Sequence, residues 1–172
     1  MFDFKQPDYA PVFRQRMERL ERLRQKPGSF ETLRQYYRTH IAQFITDWGC
    51  TFDPRNPEIG LPAVVPFILF ARQVDWVNWF MERWQTRTPG LTEKSRQMGV
   101  SWLSVAVGVA LCVLYEGITG CFGSRKEEYI DKSGDPKSLF HKARQFITCL
   151  PLEFRAGWQK RTCSAHMILR FP

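Results

Sequence analysis

The chain has 172 residues, 44% of them hydrophobic and 15% aromatic, with a net charge of +8. Such a composition supplies one domain-sized core and excludes a chain disordered throughout, because disordered sequences are poor in these residue types. The basic balance favours anionic partners (nucleic acid, nucleotide or an acidic protein surface), with a basic enzyme that meets no nucleic acid as the plainer alternative.

Residues 1–11 are polar, contain Pro7 and Pro11, and are expected to be irregular. Over 12–25, Phe13, Met17, Leu20 and Arg24 follow helical spacing, with Arg and Glu on the other faces. Pro27-Gly28 closes that helix, and Ser29 stands where it would cap the next. There Leu33, Tyr37, Ile41, Phe44 and Trp48 make one apolar stripe. The two helices are expected to pair as a hairpin with a basic outer face. That face is a solvated surface in the plain reading and a docking face for a partner protein or DNA in the other. Residues 49–66, with Asp53-Pro54 and Asn56-Pro57, read as a turn-rich linker.

Helical spacing returns over 67–84, where Phe67, Phe70, Trp76, Trp79, Phe80 and Trp84 are expected mostly in the core. Residues 86–90 read as a loop and Leu91-Thr92-Glu93 as a strand candidate. A polar turn over 94–99 leads into a buried helix from Ser101. The apolar run 100–115 falls short of the ~18–20 residues of a membrane span. The N-terminus, with Asp3 and Asp8, lacks the apolar stretch of a signal peptide. A short strand is expected over 118–122, an amphipathic helix over 137–150 and a strand over 165–171. Strands separated by helices imply an α/β unit with a largely parallel sheet.

Five cysteines, Cys50, Cys112, Cys121, Cys149 and Cys163, are odd in number and never spaced CxxC. Reduced, mostly buried thiols are expected in place of a disulfide framework or a zinc site. His40, His141 and His166 are scattered and suggest no catalytic triad.

The segment with chemical content is Lys94-Ser95-Arg96-Gln97-Met98-Gly99-Val100-Ser101, where a strand candidate hands over to a buried helix. Backbone N–H groups and a helix N-terminus can surround a phosphate at such a place. In the GxxxxGK[ST] loop of P-loop proteins, glycines permit close backbone approach, Lys meets phosphate and Ser or Thr holds Mg²⁺. Here Gly99 is the second glycine and Ser101 the hydroxyl; Val100 stands at the usual lysine and Lys94 at the first glycine. The plain reading is an ordinary turn before a helix.

With Trp102 added, this stretch resembles the deviant loop of phage-type terminase large subunits, the ATP-driven motors that package DNA. In that family the lysine moves to the start of the loop and an arginine sits within it. The resemblance implies Lys94 and Arg96 on the phosphates, with Arg96 near the γ-phosphate, backbone contacts from Ser95 through Val100, and Ser101 on Mg²⁺. Pro66-Phe67-Ile68-Leu69-Phe70-Ala71-Arg72-Gln73 resembles the adenine-side segment. It implies Gln73 as base reader, with Phe67 or Phe70 beside the ring. Residues 44–48 and 51–56 resemble the lead-in to the ATPase core, and 123–140 the segment after the second strand. There Arg125 and Lys126 are expected to face DNA, or to pair with Glu127 or Glu128.

The expected fold class is thus α/β: an N-terminal helical region and linker (1–57), then an incomplete P-loop (RecA/ASCE-like) nucleotide-binding sheet (58–172). The implied cofactors are ATP and Mg²⁺. The implied partners are double-stranded DNA, a small terminase subunit and the portal of the procapsid, in a host cytoplasm and away from membranes. No four-residue apolar strand ending in Asp-Glu, the Walker B element of such ATPases, occurs in the 172 residues, and neither does a carboxylate-rich nuclease domain. The chain is therefore expected to be the N-terminal part of the motor, to bind nucleotide weakly without hydrolysing it, and to associate through uncovered sheet edges. The alternative is a non-enzymatic basic helical module with an inert loop.

Overall fold

A computed structural model describes residues 2–96 and 98–172. Pro11 in the first turn suits the start of α1 (Ala10–Arg24), because its missing N–H has no helical partner there in any case. Gly28, at φ 76°, reverses the chain into α2 (Ser29–Thr39). Ser29 does not cap this helix; its Oγ donates to the Leu23 carbonyl at 2.7 Å and ties α2 to the end of α1. The expected single stripe breaks at His40, whose φ of −131° ends α2 and opens α3 (Ile41–Trp48). The His40 ring stacks on Tyr36 at 4.1 Å, and its Nδ1 lies 2.9 Å from the Tyr36 carbonyl oxygen.

The expected linker is in fact a hairpin. β1 (Cys50–Phe52) and β2 (Val64–Pro66) pair antiparallel with Cys50 opposite Pro66. A 3₁₀ turn, Asn56–Ile59, lies between them. Gly49 enters this hairpin through a gap with no room for a side chain. A Cβ there would sit 2.6 Å from the Ile45 carbonyl oxygen and 2.7 Å from the Phe146 ring. Gly49→Ala is expected to cost about 1–3 kcal/mol through overpacking, read as a lower urea midpoint at unchanged slope.

Next come α4 (Ala71–Thr86) and α5 (Val100–Leu114). α5 is apolar on every side and runs through the centre, with Val105, Ala106, Val107 and Ala110 fully buried. It packs against α2, α3, α4 and α7 (Leu139–Cys149); the short α6 (Glu127–Ile130) precedes α7. The chain ends in α8 (Lys160–Cys163) and a small antiparallel hairpin, β3 (Ser164–Ala165) and β4 (Ile168–Leu169). One apolar cluster unites α2, α3, α5 and α7 with Phe154 and Trp158.

The chain is a mixed α/β protein, mostly helical, with two small antiparallel sheets. The expected largely parallel sheet is corrected: no parallel pair occurs among the described residues. Residues 91–93 and 118–122 are not strands, and Leu91 is 94% exposed. Each segment lacks a neighbouring strand to take its backbone hydrogen bonds, and three to five residues do not hold an extended conformation alone. The expected strand over 165–171 shrinks to the β3–β4 hairpin, which turns at Met167 with φ 55°.

The basic hairpin face is corrected as well, because several of its arginines point inward. Arg16 donates to the Thr46 and Gly49 carbonyls at 2.7 and 3.0 Å. Arg19 bonds Asp47 and the Tyr37 hydroxyl. Arg34 reaches the Val113 and Glu153 carbonyls, and Arg38 the Leu114 carbonyl. Through the Thr46, Val113 and Leu114 carbonyls, Arg16, Arg34 and Arg38 satisfy acceptors at the ends of α3 and α5 that helix geometry leaves without partners.

Candidate functional site

The segment 94–101 reaches α5 through Gly99, whose φ is 73° and whose absent Cβ would lie 3.2 Å from Gln73 Nε2. Glycine is favoured there for both reasons. Among the described residues no side chain caps α5, so the N–H groups of its first turn have no capping partner there. That end carries the positive pole of a helix of 15 residues. Lys94, Ser95, Arg96, Met98 and Ser101 are exposed, while Val100 is half-buried. Gln97 lies outside the described residues. The result is an open loop with two cations that leads to an uncapped helix end, an arrangement suited to a phosphate. For Mg²⁺ the chain offers the Ser101 hydroxyl; no group of three metal-binding side chains occurs among the described residues.

Gln73 and the loop come together. Gln73 is buried at the start of α4; its Oε1 accepts from the Phe70 N–H at 3.4 Å, and its Nε2 donates to the Met98 carbonyl at 3.5 Å. Its amide braces the loop against α4, and reading a base would cost these two long bonds. Phe67 is buried, with its N–H bonded to the Gly49 carbonyl, so it serves the hairpin. Phe70 is exposed and meets the Phe4 ring edge-on at 5.9 Å. Arg125 and Lys126 stand at the start of α6. Arg125 lies over the Tyr129 ring at 5.3 Å, and Lys126 is 3.8 Å from Glu128.

Two arrangements escaped the sequence reading. Trp76, Trp79, Phe80 and Trp84, expected mostly in the core, are only partly buried and wall a cavity of about 870 Å³. Their spacing at three and four residues marks a single helix face, but it does not distinguish a packed face from an open one. The second arrangement joins Cys50, Cys149 and Arg16 from distant parts of the sequence. A hydrogen bond with Cys149 and the Arg16 guanidinium, 3.8 Å from the Cys50 sulfur, bring the Cys50 thiol down to about 7. The Cys149 thiol moves the opposite way, raised first by its hydrogen bond with Cys50 and then by burial.

Among the described residues no helix is long and apolar enough to cross a membrane. In comparisons with known proteins, no family model, no curated protein and no solved structure matches the chain.

Proposed function

We propose that this chain is the nucleotide-phosphate-binding part of a phage-type terminase large subunit, a motor that couples ATP hydrolysis to DNA translocation. The observation that carries the reading is the juxtaposition of Gln73 with the loop. Two segments that resemble family motifs, 25 residues apart, meet at one place through Gln73 Nε2 and the Met98 carbonyl. Beside them lie two exposed cations and an uncapped helix end. In this reading Lys94 and Arg96 bind phosphate oxygens, and the first N–H groups of α5 hold the terminal phosphate. Bound Mg²⁺, held in part by Ser101, would neutralise charge between phosphates. The docking-module alternative loses support because Arg16, Arg19, Arg34 and Arg38 are used inside the protein.

The test is calorimetric titration of the purified chain with Mg²⁺-tripolyphosphate, beside Lys94→Ala. A charge-assisted contact contributes about 1.5–3 kcal/mol, so the substitution is expected to weaken binding roughly ten- to a hundredfold. Equal affinity of both proteins, or no binding by folded wild-type chain, sinks the reading. ATP turnover by this chain, abolished by Lys94→Ala, would overturn the expectation that it does not hydrolyse nucleotide.

A further inference from the structure

The cavity of about 870 Å³ beside α4 contains none of the residues assigned to the phosphate loop, and the reading of that loop gives it no role. Its floor is the aromatic face of α4: Trp76, Trp79, Phe80 and Trp84. Its far wall is the strap 88–92, and Ser104 of α5 contributes to its lining. The strap is fastened at both ends. The Thr88 N–H bonds the Arg83 carbonyl at 3.0 Å, and the Trp76 indole N–H donates to Thr92 Oγ1 at 2.9 Å. Gly90 lies against the Trp79 ring, where an added Cβ would stand 2.5 Å from it. A cavity held open by these ties is part of the fold, and its size matches sites for small organic ligands.

Its chemistry selects the ligand. Arg83 and Arg87 both line it, and none of the described lining residues is acidic. The outer nitrogen of the Arg83 guanidinium bonds Glu82 at 2.6 Å, and its buried Nε has no acceptor among the described residues. Indole faces and guanidiniums together suit a flat ring that carries a negative charge.

We infer that this cavity binds a nucleobase carrying a phosphate, with the base against the tryptophans and the phosphate on Arg83 and Arg87. The inference goes beyond the reading of the loop and holds whether or not Lys94 binds phosphate. Two sources offer the same chemistry, a free mononucleotide and an unpaired nucleotide of a nucleic-acid strand.

The experiment titrates the full chain with AMP, with ribose 5-phosphate, which has the phosphate but no base, and with tripolyphosphate. AMP is expected to quench tryptophan fluorescence saturably and ribose 5-phosphate to leave it unchanged; no quenching by AMP, or equal quenching by both, overturns the inference without any substitution. Trp79→Leu and Arg83→Gln are each expected to weaken AMP at least tenfold while tripolyphosphate binding stays as it was. Lys94→Ala is expected to do the reverse. If AMP affinity survives both cavity substitutions, the site is elsewhere and the inference fails, whatever becomes of the loop. Displacement of AMP by a short single-stranded oligonucleotide would support the cavity with a strand as the source; binding of mononucleotides alone would support it with free nucleotide.

Discussion

Phe154→Ala is expected to remove about 3–5 kcal/mol of stability, a large part of what a domain of this size possesses. Phe154 is fully buried, and its ring meets four others edge-on or tilted: Phe30 at 5.6 Å, Tyr37 at 5.9 Å, Phe44 at 5.7 Å and Trp48 at 5.4 Å. The Arg34 guanidinium lies 5.8 Å from the ring centre. Alanine would remove the atoms that hold α2 and α3 against the 3₁₀ turn Leu152–Phe154, and rings fixed on two helices cannot close the space. Urea unfolding followed by tryptophan fluorescence measures the loss. A change below about 1 kcal/mol would show that the turn is peripheral to the core.

Asp131→Asn is expected to cost about 3 kcal/mol, because it leaves a guanidinium enclosed without its counter-charge. The Asp131 side chain is 2% exposed and that of Arg144 17%, with Arg144 Nη1 2.7 Å and Nη2 2.5 Å from the two carboxylate oxygens. The Met167 N–H donates to the same carboxylate at 2.7 Å. Arg144 in turn bonds Ser164 Oγ and the Ala165 carbonyl, so one ion pair ties α7 to the β3–β4 hairpin. The Arg144 hydrogen bonds hold the Asp131 carboxyl below its usual range, helped by the Met167 N–H and the Arg144 charge. With the folded value depressed, the pair's contribution is complete above the unfolded value, about 3.9, and is lost as pH falls through the lower folded value. The wild-type chain is therefore expected to lose stability relative to Asp131→Asn only below about pH 4. A difference between the two that stays constant down to pH 2 would refute the linkage.

The helices were legible in the sequence because their signals are local. The stripe through Phe13, Met17 and Leu20, the turn at Pro27-Gly28 and the apolar run after Gly99 each depend on residues within a few positions of one another. The segment 94–101 could be singled out on the same basis, since a glycine and a hydroxyl before an apolar helix form a contiguous pattern. The break at His40 was less legible, because Leu33 through Trp48 keep a helical period across it.

The sequence by itself determined where α1, α4, α5 and α7 lie to within a few residues, that the chain has a core, and where a phosphate would be sought. Tertiary structure decided the rest. It chose between strand and coil at 91–93 and 118–122, where a strand exists only if a neighbour takes its hydrogen bonds. It turned Arg16, Arg34 and Arg38 inward, because carbonyls far away in the chain needed donors. It brought Gln73 to Met98 and Cys50 to Cys149. It also left the tryptophan face of α4 half open, since helical periodicity shows which residues share a face and carries no information about what comes to lie against it.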